Sequence, residues 1–242
     1  MGDRSPIEWT DATWNPVRGC SKVSAGCANC YAERFAERFR NVPGHPFERG
    51  FDPRLAPNML QRPLAWRRPR RVFVNSMSDL FHTDVPVEYI EAVGRVMQRA
   101  DWHTFQVLTK RHGRMQRLLA GDLRWMGALP NVWFGVSVEN RRDGYPRLTA
   151  LRRTPATVRF ASMEPLLEAL SAVDLTGIHW VIAGGESGPR ARAMRTEWIV
   201  DLERECRRQG VPFFFKQWGG VRKHATGRTL NGRTYDAFPA VP

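Results

Sequence analysis

Cys20, Cys27 and Cys30 are the residues whose type and spacing most clearly invite chemistry. Three of the chain's four cysteines fall within eleven residues, and clustered cysteines outside an oxidising compartment more often bind metal than pair as disulfides. The spacing is Cys-x6-Cys-x2-Cys, with Gly19 and Gly26 immediately before two of the thiols. Glycines there let the backbone turn sharply enough for sulfurs to converge. Three thiolates would leave one iron of a 4Fe-4S cluster without a protein ligand and open to a small molecule. Zinc is the competing metal. A closed zinc site needs four ligands, usually as two short pairs, and here there is one Cys-x2-Cys pair, with His45 available as a further donor. The absence of any metal is the third reading. Cys206 lies far along the chain in a predicted helix and reads as a packing residue.

A second set of polar residues follows short apolar runs. Asn75, Ser76, Ser78 and Asp79 come after Val72–Val74, and Thr109, Lys110 and Arg111 after Phe105–Leu108. Ser137 and Glu139 follow Val132–Val136, and Ser162 and Glu164 follow Val158–Ala161. Gly184, Gly185 and Glu186 follow Trp180–Ala183, and Lys216 and Gln217 follow Pro212–Phe215. Some of these are good helix N-caps. Recurrence after six successive runs instead predicts a shared polar site at the C-terminal edge of a parallel sheet, where ligands bind in such folds.

The elements that would position these groups are readable in outline. The apolar runs suit buried strands. Helical patterns lie between several of them, at Val87–Ala100, Gly113–Ala120, Tyr145–Arg153 and Thr196–Gln209. A first short strand is expected before the cysteine loop. A helix is expected at Tyr31–Phe39, where Tyr31, Phe35 and Phe39 repeat every fourth residue. The pattern predicts α/β architecture, a partial or irregular TIM-like (βα) barrel of about six to seven units. An open doubly wound sheet is the alternative. Residues 1–242 read as one domain, with an irregular insertion around 41–70 and a loosely ordered tail around 222–242.

Composition narrows the class of protein. With 42% hydrophobic and 25% charged residues the chain reads as globular, not disordered. No apolar run approaches membrane-spanning length and the N-terminal residues are polar, so no membrane association and a cytoplasmic location are expected. The net charge of +13 favours polyanions, and nucleic acid or a nucleotide is the expected partner. Only four of the 37 basic residues are lysines, an Arg bias that GC-rich coding also produces. Arg67, Arg68, Arg70 and Arg71 form a compact basic run. Trp9, Trp14 and Trp218 lie in polar or Gly/Pro-rich contexts and are candidates to stack on a base, whereas Trp133 and Trp180 read as core. There is no P-loop, and the histidines show no metal-binding spacing.

A three-cysteine loop after a first strand, opening a helix in a partial βα barrel, resembles the radical S-adenosylmethionine superfamily. The usual spacing there is Cys-x3-Cys-x2-Cys, so the loop here is longer, and Asn29 stands where an aromatic often precedes the last cysteine. The wider context is Ile7-Glu-Trp-Thr-Asp-Ala-Thr-Trp-Asn-Pro16 followed by the cysteine loop and Tyr31-Ala32. It is similar, over nearly the whole chain, to a family of phage and bacterial proteins of unassigned function placed near that superfamily.

The resemblance implies a 4Fe-4S cluster held by Cys20, Cys27 and Cys30. It implies S-adenosylmethionine as second cofactor, a 5′-deoxyadenosyl radical, and an electron donor such as flavodoxin or ferredoxin. Asn75, Ser76, Ser78 and Asp79 stand where the superfamily's Gly-Gly-Glu motif contacts the methionyl amine; the chain's own Gly184-Gly185-Glu186 comes later. Lys110 would meet the methionyl carboxylate. Ser137, Glu139 and Glu164 would meet ribose hydroxyls, and Gly184 and Gly185 would allow close approach of adenine or substrate. Spore photoproduct lyase, a DNA-repair member, is a distant analogy that points to modification or repair of nucleic acid. The alternative is a non-catalytic zinc or iron–sulfur protein that binds nucleic acid.

Overall fold

A computed structural model describes residues 5–240, so residues 1–4 and 241–242 of the expected single domain lie outside the described residues. The fold is α/β. One seven-stranded parallel sheet takes its strands in chain order: β1 (Ala12–Trp14), β2 (Arg71–Val74), β3 (Thr104–Thr109), β4 (Val132–Ser137), β5 (Val158–Met163), β6 (Trp180–Gly184) and β7 (Phe213–Gln217). Helices α1 (Tyr31–Glu37), α2 (Val87–Arg99), α3 (His112–Ala120), α4 (Arg141–Arg152) and α5 (Thr196–Arg208) lie in the connections. Sequential parallel order with helical crossovers is the topology of the expected partial TIM-like barrel. Among the described residues no helix is long and apolar enough to cross a membrane.

The chain divides into two compact units. The first comprises the chain up to Val23 together with Cys30–Phe134 and Thr154–Thr157; the second comprises Ser24–Asn29, Gly135–Arg153 and the chain from Val158.

In the first unit, β1 pairs with β2 so that Trp14 lies opposite Val74, and β2 pairs with β3 so that Val72 lies opposite Phe105. These side chains are buried because a parallel sheet is covered on both faces. Trp9 and Trp14 are core, not stacking platforms. Their rings lie 4.6 Å from Phe73 and 5.7 Å from Phe105, and the Trp14 indole donates to the Met59 carbonyl at 2.8 Å. The irregular stretch 41–70 contains a short antiparallel pairing, Arg54–Leu55 with Val17–Arg18. Helix α1 stops at Glu37, before the expected end. Phe39 leaves the helix to stack on His45 at 3.8 Å, which commits His45 to packing.

In the second unit, β5 and β6 pair with Phe160 opposite Trp180, and β6 and β7 with Val181 opposite Phe213. Helix α4 begins at Arg141, earlier than its hydrophobic pattern suggests. The Asn140 side chain accepts from the Asp143 N–H at 2.7 Å and caps it. Cys206 is buried in α5, where burial pushes its thiol far above the usual range. The C-terminal segment is tied down rather than loose: the Trp180 indole donates to the Ala237 carbonyl at 2.8 Å, and the Phe238 ring lies 5.0 Å from Trp180 and 5.5 Å from Phe214. Trp218 is half-buried, with its indole donating to the Thr229 carbonyl at 2.9 Å.

Candidate functional site

The cysteine loop leaves β1 through Gly19. This residue sits at φ +76°, and a Cβ there would strike the Asp52 carbonyl, so only glycine fits. In the first unit, Cys20 and Ser21 are gripped by Arg111, which follows β3. One guanidinium nitrogen, Nη1, donates to Cys20 Sγ at 3.3 Å and to Asp79 Oδ2 at 3.1 Å. The other, Nη2, donates to the Ser21 hydroxyl at 2.9 Å and the Ser21 carbonyl at 3.1 Å. Burial works against the Arg111 charge, but Asp79 and Cys20 outweigh it and hold the guanidinium more firmly charged than usual. His82 Nδ1 accepts from the Asp84 N–H at 3.1 Å, which leaves Nε2 to carry the ring proton beside the Ser21 hydroxyl at 2.8 Å. Burial, then the Arg111 charge, depress the His82 pKa and keep the ring neutral.

Asp79 has no lone pairs to spare for an incoming ammonium. It accepts from the Thr109 hydroxyl at 2.7 Å, the N–H groups of Phe81 at 2.9 Å and Lys110 at 3.1 Å, and Arg111. Lys110 therefore touches this network through its backbone. The Ser78 hydroxyl donates to the Val17 carbonyl at 2.7 Å, and the Ser76 carbonyl accepts from the Tyr31 hydroxyl at 2.6 Å. Asn75, at φ +62°, accepts from the Val17 N–H at 3.3 Å, while its buried amide nitrogen has no partner.

In the second unit, the loop residues Ser24–Asn29 are held by two carboxylates from strand ends. Glu139, just after β4, is fully buried and accepts from both the Ser24 hydroxyl and Arg147 of α4. Arg147 also donates to the Ser137 carbonyl at 3.0 Å. A Cβ on Gly26 would come within 2.7 Å of Glu139 Oε1, so the missing side chain is what lets loop and carboxylate meet. Glu186, after β6, accepts from the Asn29 amide at 3.0 Å and from the Arg192 side chain at 2.5 and 2.9 Å. Arg192 in turn donates to the Ala25 carbonyl at 3.0 Å. Burial acts to raise the Glu186 pKa, but the hydrogen bonds from Arg192 and Asn29 prevail and hold it below the usual range. Glu139, which the resemblance would set against ribose hydroxyls, and Glu186 of the strand-end polar set both hydrogen-bond the loop.

A third polar group joins the ends of β5 and β7. Lys216 Nζ lies 2.7 Å from Glu164 Oε1, with both side chains mostly buried. The Gln217 amide nitrogen donates to Glu164 Oε1 at 3.3 Å, the Gly185 carbonyl at 3.3 Å and the Ser187 hydroxyl at 2.6 Å. Three acceptors around that nitrogen fix the amide orientation and leave its buried oxygen unpartnered. Gly184 and Gly185 serve packing: a Cβ on Gly185 would strike the Trp218 carbonyl, and one on Gly184 would lie 3.3 Å from the Gln217 carbonyl.

Sequence reasoning placed Arg111 in the strand-end polar set without a partner and gave no role to Arg147, Arg192, Ser24 or Asn29. A signal was present for the arginines. Buried carboxylates at strand ends need cationic partners, and Arg147 and Arg192 follow Glu139 and Glu186 by eight and six residues, whereas Arg111 lies 32 residues beyond Asp79.

Three thiols on one loop are the donor type an iron–sulfur cluster would need. Cys20, Cys27 and Cys30 are partly exposed thiols outside any disulfide on one short loop, and Arg111 offers an N–H to Cys20 Sγ. Among the described residues no three Cys, His, Asp or Glu side chains are gathered as the ligands of a single metal ion would be.

Fold and site together describe an α/β protein of partial βα-barrel topology that presents an anchored three-cysteine loop beyond its first strand. Residues 4–239 match the family described as protein of unknown function (DUF5131), and the chain belongs to that family. No curated protein and no solved structure matches it.

Proposed function

We propose that the chain is a radical S-adenosylmethionine enzyme acting on nucleic acid, a nucleotide or a modified base. The observation that carries this reading is the cysteine loop. Its three thiols are outside any disulfide, its residues Cys20 and Ser21 are gripped by Arg111, and its residues Ser24, Ala25 and Asn29 are gripped by Glu139, Arg192 and Glu186. Cys20, Cys27 and Cys30 would hold the irons of a 4Fe-4S cluster. When bound, such a cluster would supply the electron for reductive cleavage of S-adenosylmethionine.

The chain's own groups orient the reactants. Lys216, paired with Glu164, retains two further ammonium protons for an acceptor on the substrate. The net charge of +13 supports a polyanionic substrate. A flavodoxin- or ferredoxin-like protein is the electron donor this chemistry calls for.

The test is anaerobic reconstitution of the full chain with iron and sulfide, then addition of S-adenosylmethionine and dithionite. About four irons per chain and release of 5′-deoxyadenosine are expected. About one tightly held zinc with no cleavage would replace this reading with a non-catalytic metalloprotein that binds nucleic acid.

A further inference from the structure

Arg111 Nη1 donates a hydrogen bond to Cys20 Sγ at 3.3 Å, which sets a fixed cation against that sulfur. Its guanidinium is largely buried and cannot retreat. Asp79 holds Nη1, and Asp79 is itself fixed by Thr109, Phe81 and Lys110. The neighbouring cations are committed elsewhere: Lys22 pairs with Glu33 at 2.9 Å, and Arg114 donates to the carbonyls of His82 and Val85. His82 is held neutral, so it adds no charge near Ser21.

We propose that Arg111 is a positioning residue for the cluster: it orients the Cys20 thiolate and raises the reduction potential of the cluster that thiolate ligates. The inference rests on the radical reading above. The physical reason is that reduction adds negative charge to the iron–sulfur unit, and an N–H donor or a cation at a ligating sulfur stabilises that charge. Asp79 does the opposite, because its carboxylate shares Nη1 and offsets part of the guanidinium charge. The two residues therefore act on the potential with opposite signs. A purely structural ion pair would not do this, since losing either partner would harm it in the same sense.

The experiment is a redox titration, followed by electron paramagnetic resonance, of the reconstituted full chain and its variants, with iron content measured alongside. Arg111→Met should lower the ratio of reduced to oxidised cluster at least tenfold at a fixed poise, equivalent to about 59 mV for a one-electron couple. Asp79→Asn should shift the ratio upward. Arg111→Lys, which keeps charge but loses the fork, should fall between Arg111→Met and wild type. Should Arg111→Met misfold with Asp79 left unpaired, the double variant Arg111→Met/Asp79→Asn removes both charges and should lie closer to wild type than Arg111→Met's expected tenfold loss. Wild-type potential in Arg111→Met at equal iron content, or shifts of the same sign in Arg111→Met and Asp79→Asn, would overturn this inference alone. A wild-type chain that takes up no cluster would overturn the radical reading and this inference with it.

Discussion

The Glu139 carboxylate is buried without solvent contact against the Arg147 guanidinium, and the same carboxylate receives the Ser24 hydroxyl of the cysteine loop. Removing one partner of such a pair strands a charge in the interior, which costs about 3–5 kcal/mol. Glu139→Ala should therefore lower unfolding stability by that amount in urea titration. Ser24→Ala, which removes one neutral donor, should cost about 1 kcal/mol. Equal small losses in both variants would mean that Glu139 does not anchor the unit.

The three loop cysteines and Cys206 should separate cleanly in metal analysis. Cys20→Ala, Cys27→Ala and Cys30→Ala should each lose most of the iron taken up on reconstitution. Cys206→Ala should keep it, because that thiol is buried in α5. A full complement of iron in Cys27→Ala would refute the ligand assignment.

Glu186 gives the loop a pH dependence. Its carboxyl titrates below the ordinary value of 4.5 in the folded chain. Between that value and the lower folded one, the unfolded chain binds a proton that the folded chain does not. The stabilisation is complete above the ordinary value and is lost as pH falls through the folded one. Hydrogen-exchange protection factors of residues 24–29 should decline in that window, and Glu186→Gln should flatten the decline. Identical profiles for the two proteins would remove Glu186 from the loop's support.

Gly185→Ala tests whether the glycines after β6 serve ligand approach or packing. The added methyl would meet the backbone carbonyl of Trp218, which has no flexible end to yield. A loss of about 1–3 kcal/mol in thermal or urea unfolding is expected with no ligand present. Unchanged stability would return Gly185 to the role of clearing space for a ligand.

The strands were legible because each carries a near-continuous apolar run, and β2 through β7 all lie within a residue or two of their predicted positions. Helix α4 was misplaced because Gly144 and Pro146 obscure a helix that Asn140 caps. The strand-end residues were found, but their partners were not. Periodicity reports which face a residue occupies and is silent on what lies across it. Asp79, Glu139 and Glu186 looked like ligand-facing acids because an apolar pattern does not show which of the chain's many arginines pairs with which carboxylate, here Arg111, Arg147 and Arg192. Trp9 and Trp14 misled for a related reason: their polar neighbours Thr10 and Asn15 are themselves buried and hydrogen-bonded inside the fold.

The anchors of the cysteine loop lie far downstream of it, Glu139 being 115 residues beyond Ser24 and Glu186 157 residues beyond Asn29. On a translating ribosome the thiols emerge first and their supports follow on the order of 10 s later. Throughout that interval the nascent chain displays bare cysteines on an untethered segment. Loading with iron before release would meet a loop that has not yet acquired its shape, so a cell that matures this protein faithfully gains by shielding the thiols until the later strands are in place.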